Sequence, residues 1–406
     1  MPASNKKWTV MVYLAGDNSL DSAGAVDLGE MKRVGSTEQV NVIAQFDSAT
    51  GHATKRYHLR KGGTLGKDVV ASLGATNTGD PKILTAFIQW GVRNFPADHY
   101  LLVLWNHGQG WDDTDIYKDE RFRHLRRLPG GPLRHALFRR PVRRLLAAAK
   151  SDPLARAILL DDDAKDFIDN HELQAVLAGA AKSLGRKLDV LGMDACLMSM
   201  AEVGYQVHDS VDITVGSEQT EPGNGWPYDT ILSELARDPA MTPRDLGQLI
   251  VGNYLSSYGA EDSVTQSACD LAKAAALAKV VKKLAAALLA SLANHSVVQN
   301  ILATRARVQC YEVRDYIDLV DFCSLLAGSV ISPTIVAACQ GVIQAAKNDY
   351  VIACGSTGAS MKNSNGVSIY FPTQEVSPLY PGLDFSKRTG WDKFLKAFLT
   401  KIRGRG

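Results

Sequence analysis

The sequence has little of what usually announces a function. Its 406 residues hold only six cysteines, Cys196, Cys269, Cys310, Cys323, Cys339 and Cys354. No two stand as C-x-x-C, and no Cys/His group has zinc spacing, so no residue is assigned to a metal on this ground. A disulfide framework does not suit a chain of this length, and most of the six sit in apolar runs, where a free cysteine acts as a small hydrophobe. No apolar run reaches the roughly 18 residues of a membrane-crossing helix. No G-x-G-x-x-G follows a strand, and no G-x-S-x-G elbow occurs. Gly62-Gly63-Thr64-Leu65-Gly66-Lys67 resembles a phosphate loop, but its glycines are one residue too close and Asp68 replaces the Ser/Thr that holds magnesium. Nucleotide binding and serine-hydrolase chemistry therefore have little support. Net charge is nearly absent too. Lys and Arg number 45 against 43 Asp and Glu, a sum of +2 that points to neither nucleic acid nor a membrane.

What is present is a large apolar fraction, 46%, enough for a substantial core and too much for a disordered chain. At about 150 residues per domain, the length suggests two or three domains. Short apolar runs predict strands at 8–14, 40–46, 100–105, 157–160, 188–193 and 211–215. Amphipathic stretches predict helices at 23–33, 81–94, 171–184 and 197–208, and Asp169-Asn170-His171-Glu172 reads as a capping box. Tyr57-His58-Leu59 adds an edge hairpin. This alternation predicts an α/β fold, a mostly parallel sheet with helices on both faces. From about 240 to 348 the pattern turns helical, at 271–292, 314–326 and 333–348; strand character returns at 351–354 and 366–371. The expected organisation is a domain over 1–239 and a mainly helical C-terminal subdomain over 240–406 that returns two strands to the sheet. The run at 8–14 is short and lacks a small-residue cleavage site. It reads as a first strand and not a signal peptide, so the default expectation is cytoplasmic.

The neutral sum hides a segregation. Residues 121–150 carry nine Arg and one Lys with no Asp or Glu, punctuated by Pro129-Gly130-Gly131-Pro132 and Pro141. The rest of the chain carries 35 basic and 43 acidic groups. The plain reading of the segment is a solvated basic loop; the chemical readings are a substrate or a polyanion-binding patch.

Two strand ends could carry chemistry. Tyr100-Leu-Leu-Val-Leu-Trp105 runs into Asn106-His107-Gly108, and Leu188-Asp-Val-Leu-Gly192-Met193 runs into Asp194-Ala195-Cys196. Ligands of open parallel sheets bind beyond the carboxyl ends of strands. A thiolate there is a nucleophile, and an imidazole beside it can stabilise the thiolate or protonate a leaving amine. Gly108 leaves room for a substrate carbonyl, so the N–H groups of Gly108 and Cys196 could form an oxyanion hole. Cys196 also precedes the helix expected at 197–208, whose N-terminus would favour an anion. Taken singly, His107 could be a turn residue and Cys196 a buried one; their joint setting is what carries the reading.

These blocks resemble the clostripain family of cysteine peptidases, in the clan of caspases, legumains and gingipains. The resemblance covers most of the chain. It also takes in Trp8-Thr-Val-Met-Val-Tyr-Leu-Ala-Gly-Asp-Asn18, Gly216-Ser-Glu-Gln-Thr-Glu-Pro-Gly-Asn-Gly-Trp-Pro-Tyr-Asp229 and Asn363-Ser-Asn-Gly-Val-Ser-Ile-Tyr-Phe-Pro372. It implies a caspase-like α/β/α sandwich, a His107–Cys196 dyad and cleavage after Arg or Lys. Asp194 stands where the family's specificity acid sits, and a carboxylate there would pair with a basic side chain; its plainer reading is a helix N-cap. Glu218 and Glu221 lie on the loop that walls such a pocket, where either could add a second charge. The basic segment lies between His107 and Cys196, where family members are cut into two chains. Autolysis is therefore expected there, with Lys150, Arg144 and Arg140 as the sites. The partners so implied are peptides or proteins with Arg or Lys, the chain's own linker among them. Calcium is the one cofactor the family suggests. Asp161-Asp162-Asp163 with Asp166 and Asp169 offer hard oxygen ligands, though not at EF-hand spacing, and a cap and a turn explain them as well. The rival classes are a catalytically silent interaction module, which an intact His107 and Cys196 disfavour, and a polyanion binder using 121–150, which lacks aromatic stacking partners beyond Phe122 and Phe138.

Overall fold

The computed structural model describes residues 6–51, 53–112 and 158–404. The basic segment, with Lys150, Arg144 and Arg140, lies outside the described residues. The described chain forms strands β1 (Lys6–Gly16), β2 (Val40–Ser48), β3 (Ala53–His58), β4 (Val69–Gly74), β5 (Ala97–Trp105), β6 (Ile158–Asp161), β7 (Asp166–Ile168), β8 (Leu188–Asp194), β9 (Val211–Gly216), β10 (Thr265–Asp270), β11 (Tyr316–Asp318), β12 (Val351–Ser356) and β13 (Ser368–Tyr370). Nine of them make one sheet in the order β12-β10-β9-β8-β5-β1-β2-β3-β4. The centre, β9-β8-β5-β1-β2, is parallel, and an antiparallel pair closes each edge.

The central strands read as unbroken apolar runs because both faces are covered. On β1, Trp8, Val10, Val12 and Leu14 enter one core, and Met11, Tyr13 and Ala15 enter the other. On β5, Leu101, Val103 and Trp105 face the first, and Tyr100, Leu102 and Leu104 the second. Helices Asp21–Val34, Tyr228–Arg237 and Pro243–Ser256 cover one face. Helices Pro81–Asn94, Asn170–Leu184 and Ala274–Ala290 cover the other, with the remaining C-terminal helices behind them. This is the expected α/β/α sandwich of caspase type with a helical C-terminal region. The capping box is present: Asp169 accepts from Glu172 N at 2.7 Å, and Glu172 accepts from Asp169 N at 3.1 Å.

The structure corrects several expectations. The strand expected at 157–160 is β6, which pairs with β7, bridges Gly108 through Ile158, and stands outside the main sheet. The strand expected at 366–371 is β13; it pairs with β11 and does not return to the sheet. The strand beside β12 is instead β10, in a stretch expected to be helical. Its sequence Thr-Gln-Ser-Ala-Cys-Asp is polar, yet the first five residues are buried because their hydroxyls find partners. Ser267 Oγ bonds Ser199 Oγ at 2.7 Å, and Thr265 Oγ1 bonds Ser217 Oγ at 2.9 Å.

Two joints fasten the C-terminal region to the strand-end loops. Trp111 is buried between Tyr370 and Tyr380, with ring centroids at 4.7 and 4.9 Å. Such pairs contribute about 1 kcal/mol each beyond burial. Glu202 is buried and accepts from Tyr370 N at 3.0 Å and Tyr380 Oη at 2.8 Å. Burial pushes its carboxyl up to about 7.

Candidate active site

Parallel pairing aligns the two strand ends. Trp105, the last residue of β5, lies opposite Asp194, the last of β8. His107 and Cys196 each follow two residues later, so they leave adjacent strands at the same height. Both line one cleft of about 320 Å³, together with Asn106, Asp194, Glu221 and Gly225. Asn106 anchors the first loop. Its N–H donates to Asp194 O at 3.3 Å, and its Nδ2 donates to Ala15 O at 2.6 Å and Leu160 O at 2.9 Å. Asn18 donates to the same two carbonyls at 2.8 and 2.9 Å. The turn after β1 is thereby tied to the His107 loop. From that turn Ser19 Oγ reaches His107 Nε2 at 3.0 Å, a contact that sets the orientation of the ring.

Cys196 sits on an irregular turn. The helix expected at 197–208 begins only at Ala201, so Cys196 is not at a helix N-terminus and draws no help from a helix dipole. Leu197 instead takes φ 66°, a left-handed conformation that costs a leucine about 1–2 kcal/mol. Two hydrogen bonds hold it there: Leu197 N donates to Gln219 O at 3.1 Å, and Ser199 N donates to Ser217 O at 2.9 Å. The turn leaves Cys196 partly exposed. Its Sγ accepts from Glu221 N at 3.3 Å, a contact that favours the thiolate. Gly108 packs so closely on this turn that a Cβ there would lie 2.6 Å from Cys196 O. The two backbones that sequence reasoning joined in an oxyanion hole are thus neighbours.

The floor of the cleft is acidic. Asp194 is 4% exposed and caps no helix. Its Oδ2 accepts from Tyr228 Oη at 2.8 Å and Trp226 N at 3.2 Å. Glu221, 6% exposed, accepts from Gln266 Nε2 at 3.4 Å. Its Oε2 is buried and meets no donor, which suits a protonated oxygen bonded to Asp194. Burial and the charge of Asp194 drive the Glu221 carboxyl well above its ordinary range. Burial also raises Asp194, but hydrogen bonds from Glu221, Tyr228 and Trp226 favour its ionised form. The two carboxyls thus titrate as a pair, with Glu221 raised further than Asp194. Behind Trp105, Asp27 accepts from its indole Nε1 at 2.7 Å; burial first, and Asp194 second, push Asp27 up to about 9. Gly225, at φ 56°, faces Asp194, and a Cβ there would stand 3.1 and 3.2 Å from the two carboxylate oxygens. The missing side chain keeps open the place a cation would take. The floor thus offers buried carboxyl oxygens in a dry site, where a charge would be felt strongly.

Glu218 does not join this floor. It is 1% exposed and points to the C-terminal region, where it accepts from Tyr311 Oη at 2.6 Å and Gly366 N at 3.1 Å. It shares its site with Asp318; its own burial first, and the charge of Asp318 second, drive its carboxyl well above the ordinary range. Its role is to fasten the loop, so the substrate-binding assignment is withdrawn. The five aspartates considered for calcium also separate. Asp169 is the helix cap, and Asp166 accepts from Asn77 Nδ2 at 2.6 Å and Phe167 N at 3.0 Å. Asp161 turns away from them, toward Asp17 and Asp47. Sequence reasoning missed Ser19, Asp27, Trp226, Tyr228 and Gly225. Ser19 follows the carboxyl end of β1, so the rule that singled out His107 and Cys196 would have reached it. Asp27 gave no signal, because it lies inside a helix.

The chain matches the model of the clostripain family over residues 12–122 and 146–398. The chain belongs to the clostripain family. It is 27% identical over 333 residues to the clostripain of Hathewaya histolytica, a match covering 69% of this chain. The chain spans 56% of the length of that curated relative. Two solved structures share the fold. One is a secreted C11 cysteine protease from Bacteroides thetaiotaomicron in complex with an irreversible peptide inhibitor, at TM-score 0.65 and 22% identity, covering 95% of this chain and all of the other. The second is an inactive zymogen C11 protease from Parabacteroides distasonis, at TM-score 0.66 and 20% identity, covering 96% of this chain and 99% of the other. Family membership accounts for the sandwich architecture and for the blocks around His107 and Cys196.

Proposed function

We propose that this chain is a cysteine endopeptidase that cleaves after Arg or Lys. The observation that carries the reading is the cleft itself: a thiol, an imidazole and a buried carboxylate pair open into one space. The Cys196 thiolate attacks the scissile carbonyl carbon. The resulting oxyanion takes hydrogen bonds from the N–H groups of Gly108 and Cys196. As the C–N bond breaks, His107 gives a proton to the leaving amine, and an acyl-enzyme remains. His107 then takes a proton from water, whose oxygen displaces the thiolate. Asp194 receives the basic side chain, bidentately from Arg or through one ammonium contact from Lys, with Glu221 beside it. Ser19 is a positioning residue that holds the His107 ring.

The same specificity makes the basic segment between His107 and Cys196 a substrate in cis. Cutting there, at Lys150, Arg144 or Arg140, converts a single chain to two and leaves most of the basic segment at the end of the N-terminal one. The test is a panel of fluorogenic peptides ending in Arg, Lys, Asp or Asn. Hydrolysis after Arg and Lys alone is the result expected; hydrolysis after Asp or Asn overturns the Asp194 assignment. Mass spectrometry of purified protein should show two fragments, and Cys196→Ala should remain whole. Full activity in an uncut wild-type chain would refute activation by autolysis.

A further inference from the structure

The neutral sum of charge conceals a second segregation, this one within the described helices. Residues 271–311 and 322–348 hold five Lys and two Arg, and no Asp or Glu. Beyond these stretches and 121–150, the chain carries 28 basic and 43 acidic groups. A basic helical layer therefore stands on an acidic body.

Three helices build the layer, Ala274–Ala290, His295–Arg307 and Pro333–Gln344. The apolar side of the first, with Leu277, Val281, Leu284 and Leu288, is buried in the core. Its exposed side carries Lys279, Lys282 and Lys283 among small alanines. Lysines three and four residues apart on one helix repel each other, and the usual relief is an acid at the same spacing. Residues 271–311 supply none. On the helices packed beside it, Asp384 and Asp392 are already engaged, by Lys387 at 3.2 Å and Lys396 at 3.4 Å.

The same layer leaves apolar surface open. Ile331 is 93% exposed, the most open large hydrophobe among the described residues, and Leu289 is 40% exposed. Helices Ala274–Ala290 and Pro333–Gln344 run antiparallel: Gly341 faces Val280, and Ala345–Tyr350 meets Leu271–Lys273. Ile331, two residues before Pro333, therefore lies at the Leu289 end of the lysine helix. Lysines without acids and an unburied aliphatic tip thus share one face. Lipid headgroup phosphates would neutralise the first, and the acyl boundary would take the second. Nucleic acid fits less well, because no arginine or aromatic side chain stands on the exposed side of Ala274–Ala290 to read or stack a base.

We infer that this layer docks on an anionic lipid membrane, with Lys279, Lys282 and Lys283 at the headgroups and Ile331 inserted among them. The contact is peripheral, since no helix of the described residues is long and apolar enough to cross a membrane. The acidic body is repelled by the same surface and faces away from it. Helix Ala274–Ala290 covers a face of the sheet, whereas the cleft opens at the strand ends, so docking leaves the cleft free. The inference does not rest on the peptidase reading.

The test uses the full chain carrying Cys196→Ala, sedimented with vesicles of phosphatidylcholine alone or with roughly one third phosphatidylglycerol. Binding to the anionic vesicles alone, weakening as salt rises, is expected. Because 121–150 is itself basic, lysine acetylation read by mass spectrometry locates the contact. Vesicles should strip Lys279, Lys282 and Lys283 of most of their reactivity. Lys61 and Lys67, which precede β4 at the far edge of the sheet, should react as before. Lys279→Glu, Lys282→Glu and Lys283→Glu together should weaken binding about 100-fold, at roughly fivefold per lysine. If that variant does not fold, Lys279→Gln, Lys282→Gln and Lys283→Gln replace it. Ile331→Ser should weaken binding about tenfold. Shielding confined to Lys150, equal shielding of Lys61 and Lys67, or indifference to Ile331→Ser overturns the inference. Equal affinity for a short DNA duplex would overturn it too and point to a soluble polyanion.

Discussion

Asp194→Asn probes the specificity floor with the least change of shape. The amide oxygen can still accept from Tyr228 Oη and Trp226 N, now at 2.8 and 3.2 Å from Oδ2, so the pocket should hold its form. What changes is the group facing the substrate, a neutral amide where a carboxylate stood. Asp194 is 4% exposed, so solvent cannot replace the lost charge. Leaving a buried cation unpaired costs about 3–5 kcal/mol. At 1.36 kcal/mol per decade, kcat/KM for Arg and Lys substrates should fall by about 10²- to 10⁴-fold. Glu221 beside it can take up part of the negative charge when Asp194 is neutral, so the lower end is expected for the single variant and the upper end with Glu221→Gln added. The assay compares matched peptides whose last residue is Arg, Lys or an uncharged analogue of equal length, with Cys196 alkylation by a small reagent as control. The selectivity for a charged residue should collapse while alkylation persists. An equal loss on all three peptides, or an unchanged preference, would refute the reasoning.

Other predictions follow from the same contacts. Ser19→Ala should lower kcat by about five- to tenfold with KM little altered, the worth of one hydrogen bond, and Ser19→Thr should restore it. A parallel rise in KM, or no rescue by Thr, would mean that Ser19 only supports the fold. Glu202, raised by burial to about 7 from 4.5, binds a proton more tightly folded than unfolded. Its contribution is therefore full below about pH 4.5 and lost as pH climbs toward 7, a change of about 3 kcal/mol. In denaturant unfolding of the Cys196→Ala chain, Glu202→Gln should gain stability relative to its parent between about pH 5 and 8; identical slopes would show that Glu202 ionises freely.

The sandwich and the meeting of the His107 and Cys196 strand ends were legible because both rest on local pattern. Strands β5 and β8 are buried on both faces, so their apolar runs stop visibly where His107 and Cys196 begin. The faults arose where distant partners decide. Leu197-Met198-Ser199-Met200 carries enough apolar residues to suggest a helix, but hydrogen bonds to Ser217 and Gln219 hold the chain in a turn. Glu218 and Glu221 lie three residues apart on one loop, and nothing local says which faces the cleft. Tyr311, Gly366 and Asp318 claim the first and leave the second to Asp194. β10 escaped notice because its burial is paid in hydroxyl hydrogen bonds and not in apolar side chains. Asp17 and Asp47 meet only through the β1–β2 register, which no reading of composition supplies.

The central claim is that Cys196, served by His107, acts on peptides presenting a basic residue to Asp194. The most direct measurement treats the wild-type chain with a peptidyl chloromethyl ketone ending in Arg and maps the adduct by mass spectrometry. A single adduct on Cys196 is predicted, lost in His107→Ala and absent with the reagent ending in Asp. An adduct on another cysteine, or equal labelling by the Asp reagent, would contradict the account.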